Sequence, residues 1–184
     1  MPLQNRVTPF GDVVALPGRG LLMGNRGILH NDERRIVTQF QVKRWIACLL
    51  EFRNRRRAVM TPHRYTELFF LDEAAAFSAG HRPCAECRRA DYNRFRDLWQ
   101  QHIGTPADAD AMDRRLHADR LDGKKKRTSR ADLASLPDGT YAVWEGRPHL
   151  VLGGQLLEWS DSGYTHRVAR PARGEVDVLT PRAI

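Results

Sequence analysis

A chain of 184 residues, 41% of them hydrophobic, carries enough apolar material for one well-buried domain or two small ones sharing an interface, which excludes a disordered protein. Its 30 Lys and Arg against 22 Asp and Glu, a formal charge of +8, point towards polyanions, with nucleic acid the commonest partner of a basic domain. Three cysteines exclude a closed disulfide framework and fit a reducing compartment, residues 1–6 lack the apolar core of a signal peptide, and no apolar run approaches the roughly 20 residues of a membrane span, so a cytoplasmic protein without membrane contact is expected.

Residues 1–40 hold short apolar runs between glycines, a pattern for short strands on tight turns rather than for helix. Gly24-Asn25-Arg26-Gly27 offers backbone amides to a phosphate, but it lacks the spacing of a nucleotide-binding fingerprint and reads as a plain turn. The run from Trp45 to Phe52 is dense in β-formers and apolar on both faces, which predicts a central strand. That strand turns at Arg53-Asn54-Arg55-Arg56-Arg57 and returns through Ala58-Val59-Met60, making a β-hairpin with an arginine tip. Arg55, Arg56 and Arg57 are candidate phosphate contacts, because guanidinium grips phosphate oxygens at two points.

A third strand over 65–71 leads to Asp72, a good N-cap for an alanine-rich helix that Gly80 stops. Pro83-Cys84-Ala85-Glu86-Cys87 then opens a longer helix, in which Cys87, Ala90 or Asp91, Arg94 or Phe95, and Leu98 or Trp99 recur at helical spacing. Arg88 and Arg89 face outward on it and join the phosphate contacts, and the helix ends near Gly104. Residues 105–130 pass from an acidic, alanine-rich helix to a mobile basic loop, where Lys124, Lys125, Lys126 and Arg127 are further candidates for phosphate. From residue 136 onward, short strands at even spacing (140–144, 149–152, 155–159, 164–168 and 176–179) predict a small antiparallel sheet or half-barrel. The expected fold class is α+β, with a β-rich half over 1–104, a basic linker over 105–135 and an antiparallel β subdomain over 136–184.

Cys84 and Cys87 form a single Cys-x-x-Cys, whose spacing lets two thiolates hold one Zn²⁺ while the amides of the turn face the sulfurs. Structural zinc takes four ligands. Cys48, in the predicted central strand, is the candidate third, with a small buried hydrophobe as its alternative. A histidine would close the shell: His30 is the candidate, with His81 and His63 behind it. A redox role would need a thioredoxin-like βαβ context that the surrounding strands do not supply. A metal-dependent nuclease or repair enzyme would draw on His117 with Asp119 and Asp122, or on His30 with Asp32 and Glu33, although neither group has a nuclease spacing.

The stretch Phe69-Phe70, Ala74-Ala75-Ala76, Ala79-Gly80-His81-Arg82-Pro83-Cys84-Ala85-Glu86-Cys87 resembles the metal-binding domain of the Ada family of methyl-phosphotriester repair proteins. In that family an aromatic strand, a short alanine-rich helix and Arg-Pro-Cys-x-x-Cys end a zinc site. The resemblance covers about residues 69–89 and implies a zinc knuckle of strand, helix, Cys-x-x-Cys and helix on a DNA-facing basic surface. The family's close pair of cysteines before the aromatic strand, one of them the methyl acceptor, has no counterpart here: only Cys48 lies upstream. The function expected from the sequence is therefore a zinc-stabilised, DNA-binding protein without methyl-transfer chemistry. The alternatives are a metal-dependent nuclease and a zinc domain for a protein partner.

Overall fold

The computed structural model describes residues 1–55, 58–104 and 107–184. The fold is mixed α+β, with three α-helices among many short strands in the described residues. Chain order runs β1 (Arg6–Val7), β2 (Val13–Val14), β3 (Leu22–Asn25), β4 (Ile46–Cys48), β5 (Leu68–Phe70), α1 (Glu73–Ser78), β6 (Arg82–Pro83), α2 (Arg89–Ile103) and α3 (Ala109–Arg120). It continues through β7 (Leu121–Asp122), β8 (Lys125–Lys126), β9 (Ser129–Asp132), β10 (Tyr141–Trp144), β11 (Arg147–Leu152), β12 (Gln155–Ser160), β13 (Gly163–Ala169) and β14 (Glu175–Val178).

The first six strands form one sheet in the order β2-β1-β5-β3-β4-β6. Two of its pairings, β1 with β5 and β4 with β6, are parallel and join residues far apart in sequence. Gly24 opposes Ala47, and a Cβ on it would lie 2.2 Å from the Ile46 carbonyl oxygen, so the close approach of β3 to β4 requires glycine. The expected arginine-tipped hairpin does not form. With β3 on one side and β6 on the other, both edges of β4 are taken, and Ala58, Val59 and Met60 are not a strand. The chain leaves β4 after Cys48 and bends where Arg53 and Asn54 take left-handed conformations (φ 52° and 55°). Arg53 and Arg55 both lie over the Phe52 ring; Arg56 and Arg57 fall outside the described residues.

Helix α1 is short and rich in alanine because it is packed between two sheets. Ala76 joins Val7, Ala47, Leu68 and Phe70 of the first sheet, while Ala75 meets Tyr141, Leu150 and Leu157 of the second and Leu179 just beyond β14. Asp72 caps it, one carboxylate oxygen accepting the Ala75 N–H at 2.8 Å and the other the Tyr164 hydroxyl at 2.5 Å. Gly80 follows with φ 85°, and a Cβ there would come within 2.5 Å of the Arg120 Cδ. Both backbone conformation and space therefore demand glycine at the helix stop.

The second helix begins at Arg89 rather than at Cys84, since residues 84–88 are occupied by the turn that carries the sulfurs. It ends at Gly104 in the left-handed conformation. Tyr92 and Trp99 on α2 pack with Met112 and Leu116 on α3 and with Ala183. The predicted linker is structured: α3 runs on to Arg120, β7 and β8 pair as a small hairpin, and β9 joins the second sheet beside β14.

That second sheet is antiparallel throughout, in the order β13-β12-β11-β10-β14-β9. Alternate residues serve opposite faces, as the two-residue repeat of a strand dictates. Ala142, Val151, Leu156, Val176 and Val178 pack with Leu133 and Leu136, while Tyr141, Leu150 and Leu157 face α1. No described helix is long and apolar enough to cross a membrane.

Candidate metal centre

Strand pairing assembles the three cysteines. In the parallel β4–β6 pair Ala47 opposes Pro83, and the Cys84 N–H donates to the Ala47 carbonyl at 2.9 Å. Cys48 and Cys84, one residue beyond each partner, are thereby brought side by side. The turn at 84–88 is closed by the Arg88 N–H on the Cys84 carbonyl at 3.1 Å, and it returns Cys87 to the same place. The three sulfurs lie within 4.8 Å of one another, Cys48 and Cys84 buried and Cys87 partly so.

The donor set suits a soft or borderline cation. Zn–S bonds of about 2.3 Å in a tetrahedral shell place sulfurs about 3.8 Å apart, a separation compatible with this trio. Two main-chain amides point at the sulfurs, Leu49 N–H at Cys87 Sγ and Glu86 N–H at Cys84 Sγ, each at 3.4 Å, as thiolates require. The Cys48 thiol, then the Cys87 and Glu86 amides, hydrogen-bond to Cys84 and pull it down to about 5 against the effect of burial. Donation to Cys84 together with burial pushes Cys48 far up, and burial, then the neighbouring Cys84 charge, raises Cys87. Three adjacent thiols share their protons because three thiolates repel one another; a divalent cation held by Cys48, Cys84 and Cys87 would supply the countercharge for all three to ionise.

No described His, Cys, Asp or Glu joins the trio within the same distance. The structure places His30 elsewhere, its ring held between the Thr66 hydroxyl (Nδ1, 2.6 Å) and the Thr61 carbonyl (Nε2, 3.2 Å). His81 is buried against Trp45 and Phe70, with Arg26 Nε donating to its Nε2 at 3.3 Å. His63 is exposed, 3.7 Å from Asp32. Nor do the alternative clusters converge: His117 Nδ1 faces Arg120, Asp119 pairs with Arg115, and Asp122 lies by Arg127.

The basic residues divide. Arg55, Arg89, Lys124, Lys125 and Arg127 are exposed, Arg55 being paired with Glu86 of the cysteine turn at 2.5 Å. Arg88 is turned inward instead, onto Glu73 and Asp91, because α2 starts one residue beyond it and its side chain closes the space beside α1. Lys126 is also withdrawn, its ammonium donating to the Ser78 carbonyl. Three buried arginines were not foreseen: Arg82 meets Asp113, and Arg26 and Arg120 both lie over Trp45. Arginine followed by Pro-Cys, or set between glycines, carries no sequence signal for burial.

Fold and site together define a mixed α+β protein with a three-cysteine candidate metal centre. Comparison with family models, with curated proteins and with solved structures finds no match, so its function is read from its own residues.

Proposed function

We propose that the protein binds zinc through Cys48, Cys84 and Cys87 and uses the metal-fixed turn to present a basic surface to DNA. The observation that carries the reading is the meeting of three sulfurs from two separate segments at one point. Metal on that point would tie the end of β4 to the start of α2. Arg55 and Arg89, exposed on either side of the turn, are then held where phosphates can reach them, and the charge of +8 favours a polyanion. The resemblance of residues 69–89 to the Ada zinc region points the same way, towards a knuckle without the methyl-accepting cysteine. Phosphate contacts of this kind give affinity without base selection.

A second reading, a zinc domain that docks a protein, is favoured by Leu49 and Leu50, 40% and 49% exposed directly after Cys48. One set of measurements separates the two. Elemental analysis is expected to find one zinc per chain, and binding to a DNA duplex is expected to weaken steeply with added salt. Metal without any retention of DNA favours the protein-docking reading, and absence of metal overturns both.

A further inference from the structure

A cavity of about 250 Å³, with none of the cysteines in its lining, lies between the β1–β2 turn and the β7–β8 hairpin. Three cations line it, Arg26, Arg120 and Lys126, with Asp12 as its carboxylate and Lys124 as a further, exposed charge. Arg26 and Arg120 are 2% and 1% exposed, and each guanidinium lies over the Trp45 ring, 4.0 and 3.8 Å from its centroid.

The hydrogen bonds of these cations go to neutral acceptors. Arg26 donates to His81 Nε2 and to the Gly11 carbonyl (2.9 Å). Arg120 donates to the carbonyls of Gly80 (2.8 Å) and Lys43 (2.6 Å), and Lys126 donates to that of Ser78. Among the described residues none of the three forms an ion pair. Arg26 Nη2 and Arg120 Nε are buried without any partner, and Nη2 faces Gly11, which lines the cavity.

Buried charges without counter-ions are costly, and these three also repel one another. Burial first, then the neighbouring cations, brings Arg120 down to about 8 and Lys126 to about 7, while burial lowers Arg26 to about 9. The same burial and charges hold the His81 imidazole well below its ordinary range, so it stays neutral and accepts from Arg26. Trp45 is already covered by guanidinium and cannot neutralise two cations. What the cavity lacks is an anion.

Its charge and size say which. The cations lining the cavity, exposed Lys124 among them, outnumber its one carboxylate, Asp12, and such an excess calls for a multiply charged anion, as a phosphate monoester is at about −1.5 to −2 near pH 7. The volume falls below the roughly 300–1,000 Å³ of pockets for drug-sized ligands, which admits a phosphate group with at most a small substituent. We propose that this cavity is a binding site for phosphate, either inorganic phosphate or the phosphate of a small monoester, held by Arg26, Arg120 and Lys126. The proposal does not rest on the metal or on DNA binding.

The test titrates the full chain with inorganic phosphate, glycerol phosphate and acetate at constant ionic strength, following heat and the thermal unfolding midpoint. Saturable binding of phosphate is expected, with a rise of several degrees in the midpoint and little response to acetate. Tighter binding of glycerol phosphate would identify a monoester as the ligand, and equal or weaker binding would identify the inorganic ion. Lys126→Met is expected to weaken binding on the order of tenfold or more, the loss of one charge-assisted contact. Asp12→Asn changes an exposed residue and removes the competing carboxylate, so it should strengthen binding severalfold. No saturable binding at about 10 mM of either phosphate, ten times a millimolar Kd, would overturn the proposal, as would an acetate response equal to that of phosphate. Unchanged affinity in both variants would overturn it as well.

Discussion

Arg82 and Asp113 meet at two points inside the protein, Nε to Oδ1 and Nη2 to Oδ2, each at 2.8 Å, with both side chains almost wholly buried (2% and 4% exposed). The pair fastens β6, which leads into the cysteine turn, to the middle of α3. Burial raises the Asp113 carboxyl above its ordinary range even with Arg82 beside it, so its charge depends on the partner. Removing one member leaves the other as an uncompensated buried ion. Asp113→Ala is therefore expected to destabilise by about 3–5 kcal/mol in urea unfolding, and the apolar double variant Arg82→Met with Asp113→Leu to recover much of that loss. If the single variant cost less than about 1 kcal/mol, the pair would be no more than a surface-like contact.

Metal removal should be felt in the first sheet. Cys48 closes β4 and Cys84 follows β6, so an ion bound as proposed would bridge both sides of their parallel pairing. Chelation is expected to lower the thermal midpoint by more than about 10 °C, because metal binding energy is folding energy at such sites. Cys48→Ser should match Cys84→Ser in lost metal. Retention of full metal by Cys48→Ser would mark Cys48 as a core residue only.

If the protein binds DNA as proposed, the salt dependence of that affinity should distinguish the exposed arginines from the buried one. Arg55→Ala and Arg89→Ala should each flatten the slope of log affinity against log salt by about 0.9, one duplex phosphate contact. Arg88→Ala should leave that slope unchanged and instead lower stability, since Arg88 is held by Glu73 and Asp91. Glu86→Gln frees Arg55 from its 2.5 Å partner and should tighten binding modestly. A flattened slope in Arg88→Ala, with none in Arg55→Ala, would place the DNA on a different face.

The buried ammonium of Lys126 couples stability to alkaline pH. Burial first, then Arg26 and Arg120, depresses it from 10.5 to about 7, with Asp12 the opposing charge that faces it. Below about 7 the group is protonated in folded and unfolded chains alike, and the full cost of its burial applies. Between about 7 and 10.5 the unfolded chain binds the extra proton, so stability rises with pH across that window. Arg120, depressed from 12.5 to about 8, adds to the same rise. Urea unfolding at intervals from pH 7 to pH 10 should show the increase, with a shallower slope in Lys126→Met. An equal slope in that variant would show that Lys126 is not the group that titrates.

Local chemistry was readable from the residues alone. Asp72 caps α1 through an amide three residues away, Gly80 and Gly104 stop their helices by a backbone conformation open chiefly to glycine, and the strands β10 to β13 pair with their sequence neighbours across short turns. The mixed α+β class follows from such signals, and so does Cys84-x-x-Cys87 as a two-sulfur turn. Tertiary structure alone decided the rest. Ser129-Arg130-Ala131-Asp132 has no strand pattern and is β9 only because β14 pairs with it. The Trp45 run lost its hairpin because β3 and β6 claimed both its edges. Lys126, in a run that reads as solvated, reaches the Ser78 carbonyl, and Arg26 and Arg120, far apart in sequence, meet over one tryptophan. Cys48 meets the other two cysteines through the register of Ala47 on Pro83. These are pairings of segments distant in sequence, set by which apolar faces can be buried together, and no local run of residues encodes them.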